Sequence, residues 1–488
     1  MAMKHVLHSR FWLTFWFFSF APMATSAAVF DDSVTYAFSS SAAKVFWPGG
    51  QFDEFHQQYA KKIVEFEVKD LDKERIIELD LDTVLLNQEL TLTIDSRGAK
   101  SGIADFYSAE HNTYKAPQIV YEVAGQKRLL VASIDTFVAR KDRKSKSKDA
   151  VVKAGSGVTT LLLFEFPSDI DLQQVKNSKL VLTTTDRQFG PSLLALNQLI
   201  YSAPALKVET SGIADKYILD KGIANDKAVF YADDFDDQDW LTGLKLTVGM
   251  TKPVWQNTGE LEYVDHKDVR HFSGEPGKAV RMPFTTKQNL AGNLDYYFAK
   301  HAGREPEEAY FRYYTLLAPG SYVSGGGKLP GFGGTYNKAG WGGRANNGEN
   351  GWSSRGAFYQ SINAKNPLWG GRMPIGSYIY EVDTKNKYGK SIPWGHERST
   401  LQPGKWVAIE QYLKLNTPGK SDGVLHVWID GAKIYSRNNL HFRDTDKLKI
   451  EKIWLNFYFG GVAKPSKNFD MYIDNIVIAS SYIGPVRQ

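Results

Sequence analysis

The chain has 488 residues, 42% hydrophobic and 23% charged, the proportions of a folded protein of two or three domains rather than a disordered one. Zero cysteines exclude a disulfide scaffold, a thiolate metal cluster and a cysteine nucleophile. The formal net charge of +5 falls to +3 once Lys4 and Arg10 leave with the N-terminal segment, too even a balance to hold nucleic acid by bulk charge.

The first element is a leader. Lys4, His8 and Arg10 precede the apolar run Phe11-Trp12-Leu13-Thr14-Phe15-Trp16-Phe17-Phe18-Ser19-Phe20; Pro22 breaks it, and small residues from Ala24 to Ala28 follow. A cationic start, a short apolar stretch and a small-residue exit make a secretory signal peptide, assigned to residues 1–27. The run is shorter than the roughly 20 residues that a membrane-spanning helix needs. A secreted or periplasmic protein, free of the membrane once the leader is removed, is expected.

Residues 28–205 read as a β-sandwich accessory module. Short β-branched and aromatic runs recur between turn clusters at Lys61–Val68, Glu89–Ile94, Gln118–Val123, Arg128–Ala132, Val158–Phe166 and Lys179–Thr184. Helical periodicity is scarce, and Glu54–Ile63 carries its best example. The mixed-charge run Arg140–Lys153 reads as a solvated hairpin loop ahead of a patch for an acidic polymer. Across residues 119–190, Ile134-Asp135-Thr136-Phe137-Val138, Leu161–Phe166 and Ser178–Leu182 resemble secreted β-sandwich modules attached to carbohydrate-active enzymes. That resemblance implies a carbohydrate-binding or spacer role, not catalysis.

Residues 206–229 read as a linker in which Ser211-Gly212-Ile213-Ala214-Asp215 echoes Ser101-Gly102-Ile103-Ala104-Asp105, with Gly222-Ile223-Ala224 a third partial copy. A second domain, residues 230–488, begins near Tyr231-Ala232-Asp233-Asp234-Phe235. Its strand signals are Tyr310–Leu317, Ala357–Ile362, Ser377–Val382, Trp406–Leu415, Val424–Ile429, Ile453–Tyr458 and Met471–Ala479, with Asp430-Gly431 a hairpin turn. Consecutive strands without helices between them predict an all-β protein of two sandwich or jelly-roll domains. In Val424–Ile429, alternation puts His426 and Trp428 on one face, which is either a semi-exposed surface or the wall of a cleft.

Glycine is concentrated where chemistry is expected. Twelve of the 42 glycines fall between residues 318 and 352, interleaved with Lys, Arg, Trp and Asn, which favours a ligand-facing loop over passive cover. Gly326-Gly327-Lys328 is not a phosphate loop, because it lacks the earlier Gly and the Ser or Thr after Lys. Downstream, Ser353 shares a strand face with Arg355, and Tyr378 shares one with Tyr380.

Gly327-Lys328-Leu329-Pro330-Gly331, Ser353-Ser354-Arg355 and Tyr378-Ile379-Tyr380 resemble the three active-site segments of polysaccharide lyase family 14, the alginate and glucuronan lyases with a concanavalin-like β-jelly roll. The resemblance spans about residues 230–488. It departs from the family between Arg355 and Tyr378, where an insertion includes Asn366-Pro367-Leu368-Trp369-Gly370-Gly371-Arg372. The resemblance implies β-elimination of a 4-linked polyuronate, alginate first and polyglucuronate next, with Tyr378 and Tyr380 as the acid/base pair.

Elimination removes a weakly acidic proton at C5 beside a carboxylate, so neutralising that carboxylate lowers the barrier; Lys328 and Arg355 suit this role, Arg through its forked donors. A base-acting Tyr must fall from its reference pKa of about 10, and adjacent cations are expected to lower it. Ser353 is expected to hydrogen-bond the substrate, Trp341 and Trp352 to stack on sugar faces, and Asn456 and Tyr458 to share one strand face toward the cleft. His396, also an alternative base, and Arg312 complete the substrate-binding set. The chemistry requires no cofactor; a structural Ca2+ is compatible with it but not indicated. The expected partner is an anionic polysaccharide, not nucleic acid, met by a monomer.

Two rivals stand beside this reading. A sandwich-fold glycoside hydrolase needs two carboxylates about 5–10 Å apart; the local pair Glu381-Val382-Asp383 has Lys385 where a third acid would stand. A non-catalytic polysaccharide-binding or matrix protein would use the same basic and aromatic residues without proton transfer.

Overall fold

The computed structural model describes residues 30–31, 33–35, 38–47, 51–69, 74–84, 86–96, 102–110, 114–139, 144–186, 192–201, 211–236, 246–248, 262–265, 272–273, 277–366, 368–382, 384, 386–461 and 463–488. The leader, the start of the linker at 206–210 and the first four residues of the charged run, 140–143, lie outside them. Among the described residues no helix is long and apolar enough to cross a membrane.

The N-terminal module pairs a seven-stranded with a four-stranded antiparallel sheet. Alternating Leu90, Leu92 and Ile94 meet Leu162, Phe164, Leu180, Leu182 and Leu194 in the core between them. The helix covers Phe52–Tyr59 and yields at Ala60 to the strand Ala60–Val68, earlier than the periodicity predicts. Ile63 and Val64 lie in the stretch that pairs with Ser192–Leu199, and β-branched side chains favour that ladder over another helical turn.

The stretch expected as a linker is no free tether in its described part. Ile213–Lys216 and Ile223–Asn225 form short 3-10 turns that bury Ile213 and Ile223 against Val477, Ala479 and Ile483. The Gly-Ile-Ala echo thus means one isoleucine plug per turn. The remaining copy, Ile103-Ala104-Asp105, lies in the module strand Ile103–Tyr107 and shares no structure with these two.

The C-terminal domain is a sandwich of two eight-stranded antiparallel sheets. The front sheet contains β1 (Leu290–Tyr297), β2 (Gly327–Gly334), β3 (Trp352–Phe358), β4 (Met373–Tyr380), β5 (Lys390–Pro393) and β6 (Lys452–Phe459). Their spatial order is β1-β6-β2-β3-β4-β5. The back sheet is built on Lys278–Phe284, Phe469–Ala479, Glu308–Leu317, Trp406–Lys414, Gly423–Ile429 and Ala432–Leu440. Leu294, Phe332, Ile379, Leu455 and Phe457 from the front meet Phe311, Tyr313, Ile409, Val427 and Ile473 from the back. Asp430 and Gly431 take φ of 49° and 76°, the positive pair of a type I′ hairpin turn.

Two expectations are corrected here. Gly327–Gly334 is a central strand, not a loop, and Ala357–Ile362 belongs to the end of β3 and the turn after it. His426 and Trp428 face away from the cleft, on the outer side of the back sheet, where Trp428 packs 5.2 Å from Tyr482.

The module touches the C-terminal domain at the insertion between β3 and β4. Asn366 Nδ2 donates to Asp31 Oδ2 at 2.8 Å, while Asn366 Oδ1 accepts the Leu368 and Trp369 N–H groups. Nearby, the Phe46 N–H donates to the Gly395 carbonyl at 3.3 Å.

Candidate active site

The outer face of the front sheet forms the floor of a cleft of about 570 Å³. Strand alternation decides which side chains stand in it. From β1 come Asn293, Asp295 and Tyr297; from β6, Lys452, Trp454, Asn456 and Tyr458; from β2, Lys328; from β3, Arg355; from β4, Tyr378 and Tyr380. Trp341 and Tyr388 reach the cleft from loops.

The ladder places these groups in rows. Asp295 stands opposite Trp454, Trp454 opposite Gly331, Gly331 opposite Arg355, and Arg355 opposite Tyr378. Gly331 is obligatory for packing: a Cβ there would lie 2.7 Å from Arg355 Cα, nearer than packed carbons approach. The bare position lets the Arg355 guanidinium cross the row and lie 4.4 Å from the Trp454 ring centre.

Arg355 is 6% exposed and its Nε has no hydrogen-bond partner. Nη1 donates to Asn456 Oδ1 at 3.1 Å, and among the described residues no carboxylate pairs with the guanidinium. Burial pulls Arg355 down to about 10. Lys328 Nζ lies 4.0 Å from the Tyr378 ring centre and donates to the Gly460 carbonyl at 3.4 Å. Burial, then the Arg355 charge, bring Lys328 down to about 8.

The tyrosine expectation is reversed by this environment. Burial and the neighbouring Tyr380 push Tyr378 up to about 12, and Arg355 offsets only part of that rise. Desolvation outweighs the cation. The Tyr380 ring lies edge-on to Tyr378 at 5.7 Å, and its hydroxyl accepts the Gly343 N–H at 3.3 Å. Burial also raises Tyr458, whose hydroxyl accepts from Asn289 Nδ2 at 2.8 Å.

Lys328, Arg355, Tyr378, Tyr380, Trp341, Asn456 and Tyr458 are brought together in the cleft; four other expected residues are not. The Ser353 side chain turns to the Gly340 carbonyl at 2.6 Å, so it anchors the loop that carries Trp341. Trp352 faces inward, buried 4.8 Å from Phe442. Arg312 lies in the back sheet, ion-paired with Asp220 and donating to the Gly484 carbonyl at 2.8 Å. His396 sits in the turn after β5, its Nδ1 accepting the Arg398 N–H at 3.1 Å.

Asn293, Asp295, Lys452, Trp454 and Tyr388 are cleft residues that sequence reasoning passed over. The first four were within reach, because the alternation seen at Asn456 and Tyr458 runs back through Trp454 to Lys452, and Asn293-Leu294-Asp295 alternates likewise. Lys452 Nζ donates to Asp295 Oδ2 at 3.3 Å, and burial holds Asp295 above the usual carboxylate range despite that cation. Glu451 accepts the N–H groups of Thr335 and Tyr336, both at 2.8 Å. No group of three or more His, Asp or Glu side chains among the described residues is placed to hold a metal ion.

Residues 280–472 match the family model of Polysaccharide lyase 14. Among solved structures, the chain is similar to the alginate lyase vAL-1 from Chlorella virus (18% identity, 51% of this chain and 99% of that chain, TM-score 0.36). It is similar to the marine PL-14 alginate lyase from Aplysia kurodai (18% identity, 45% and 86%, TM-score 0.34). It is also similar to the endo-beta-1,4-glucuronan lyase from the fungus Trichoderma reesei (13% identity, 46% and 89%, TM-score 0.32). No curated protein matches the chain. The C-terminal half of this protein carries a polysaccharide lyase family 14 domain, and every cleft residue named above lies within the matched span.

Proposed function

We propose that this protein is an exported lyase that cleaves a 4-linked polyuronate, alginate first and polyglucuronate next, by β-elimination. The observation that carries the reading is Arg355: a buried guanidinium in a tyrosine-lined cleft, with no carboxylate partner among the described residues. A uronate carboxylate supplies the missing charge, and its pairing with Arg355 stabilises the negative charge that builds as C5 loses its proton.

Proton affinities divide the remaining work. A phenol near 12 is ionised in about one molecule in 10⁵ at pH 7, whereas an amine near 8 is neutral in about one in ten. Lys328 is therefore favoured as the base and Tyr378 as the acid, in place of the Tyr378–Tyr380 pair. The C5–H bond breaks toward Lys328 Nζ, the C4=C5 double bond forms, and the C4–O4 bond breaks as Tyr378 protonates O4. The ammonium, beside the Tyr378 ring, then returns its proton to the phenolate. Tyr380, fixed by the Gly343 N–H, buttresses the Tyr378 ring.

Asp383 lies outside the described residues, and among those described no two unoccupied carboxylates line the cleft for a hydrolase reading. Asp295 is tied to Lys452 and Glu451 to the Thr335 and Tyr336 backbone. The deciding experiment incubates the mature protein with alginate, polyglucuronate and other polyuronates while following ultraviolet absorbance. Elimination leaves an unsaturated, absorbing uronate. Reducing ends without new absorbance would establish hydrolysis instead, and binding without either product would establish a non-catalytic protein. Export is checked separately by cell fractionation with and without residues 1–27.

A further inference from the structure

Arg355 is held by amides, and the amides lead to an acid. Asn456 presents its oxygen to Arg355 Nη1 at 3.1 Å and donates through Nδ2 to Asn293 Oδ1 at 2.9 Å. Asn293 Oδ1 also accepts Trp454 Nε1–H at 2.6 Å, and Asn293 Nδ2 donates to Asp295 Oδ2 at 3.2 Å. The two amides thus form a chain in one orientation, fixed at the Asn456 end by the Arg355 cation and at the Asn293 end by the Asp295 carboxylate. The Asp295 carboxylate is spent on Lys452 and on Asn293, two amides away from Arg355.

We propose that Asn293 and Asn456 form an amide relay that aims the Arg355 guanidinium at the substrate carboxylate while keeping the Asp295 charge from neutralising it. Both are positioning residues, and the inference rests on the elimination reading above. A carboxylate at position 456 would sit beside the Arg355 cation and neutralise it; a neutral carbonyl oxygen orients the guanidinium and leaves its charge for the ligand. Nε itself is buried and makes no hydrogen bond, so the guanidinium keeps donor capacity that the protein leaves unused. The titratable groups facing Arg355 are Lys328, Tyr378, Tyr380 and Tyr458, none of them a carboxylate.

The test compares Asn456→Asp and Asn293→Ala with wild type in the full chain. Asn456→Asp is expected to lower kcat/KM on the preferred polyuronate by about 100-fold. It should also move the alkaline-favoured limb of the kcat/KM profile upward by about one unit, because the new carboxylate cancels the Arg355 charge felt by Lys328. Asn293→Ala, one link removed, should lower kcat by about tenfold and change KM less than about twofold, the mark of an interaction felt in the transition state. Thermal midpoints monitor folding, and calorimetric binding of a saturated uronate disaccharide reads the guanidinium without the reaction; Asn456→Asp should weaken it about tenfold. A folded Asn456→Asp variant with wild-type binding and an unmoved limb overturns the relay, as does wild-type kcat in Asn293→Ala. A wild-type protein that binds uronate but makes no unsaturated product, with binding lost in Asn456→Asp, overturns elimination and upholds the relay.

Discussion

The two sheets of the C-terminal domain each bury an arginine, and the two are treated in opposite ways. Arg312 in the back sheet is 0% exposed, and a buried Asp220 meets its charge. Arg355 in the front sheet is 6% exposed and meets a ring face and an amide oxygen, with no acid paired to it among the described residues. A buried ion pair is self-contained and contributes to architecture; a buried cation without its anion stores a desolvation cost that a ligand can relieve. The same residue type at nearly the same burial is ion-paired in one sheet and left without an acid in the other, and on the function proposed above that missing counter-charge is what makes Arg355 chemical.

The sharpest way to break this contrast is to delete both arginines. Arg355→Ala should lower kcat/KM by about 10²- to 10³-fold while leaving the urea midpoint unchanged or raised, since an uncompensated buried charge is removed. Arg312→Ala should cost about 3–5 kcal/mol of stability, because Asp220 is left buried and alone, while the folded fraction keeps its kcat. Interchanged outcomes would dissolve the distinction.

Next in size, Lys328→Ala and Tyr378→Phe should each lower turnover about 100-fold. Burial and Arg355 both disfavour the ammonium form of Lys328, so its active neutral form appears at lower pH than in an exposed lysine. Wild-type kcat/KM should therefore fall about tenfold per unit below about pH 8 and level off above it, a limb that should vanish from the residual activity of Lys328→Ala. A wild-type profile flat between pH 6 and pH 9, or one with its limb near pH 10, would remove Lys328 as the base.

A smaller effect tests the floor between the cations and their neighbours. Gly331→Ala pushes a methyl against the Arg355 backbone, so about 1–3 kcal/mol of stability and about tenfold in kcat should be lost together. Smallest of all, Tyr388→Ala at the mouth should raise KM about fivefold with kcat preserved, the size of one lost ring contact. A large kcat loss at Tyr388 would move the chemistry toward the loops and away from the sheet.

The all-β organisation was legible because alternation and turn chemistry are local signals: Asp430-Gly431 marks its hairpin, and Leu425, Val427 and Ile429 mark the inward face. The site was legible in part. Lys328, Arg355 and the two tyrosines carry a recognisable pattern, and the strands that hold them are neighbours in space. Gly327–Gly334 misled because glycine argues for a loop when only the chain is seen; the reason for it is the backbone of β3 packed alongside, a tertiary fact. Arg312 misled because Asp220, 92 positions earlier in the chain, leaves no mark on the sequence around it. The direction of the Tyr378 shift followed from how deeply the ring is buried, which no spacing of residues reports.

Asp220 lies in the stretch between the two folded units, beyond the conventional edge of the lyase domain. Any truncation that starts the catalytic unit at residue 230 would discard it, strip Ile213 and Ile223 from the outer surface of the back sheet, and strand Arg312 in the interior. A fragment that begins near residue 211 keeps both the isoleucine plugs and the Asp220 counter-charge. The segment that looks like a tether is the keel of the domain behind it.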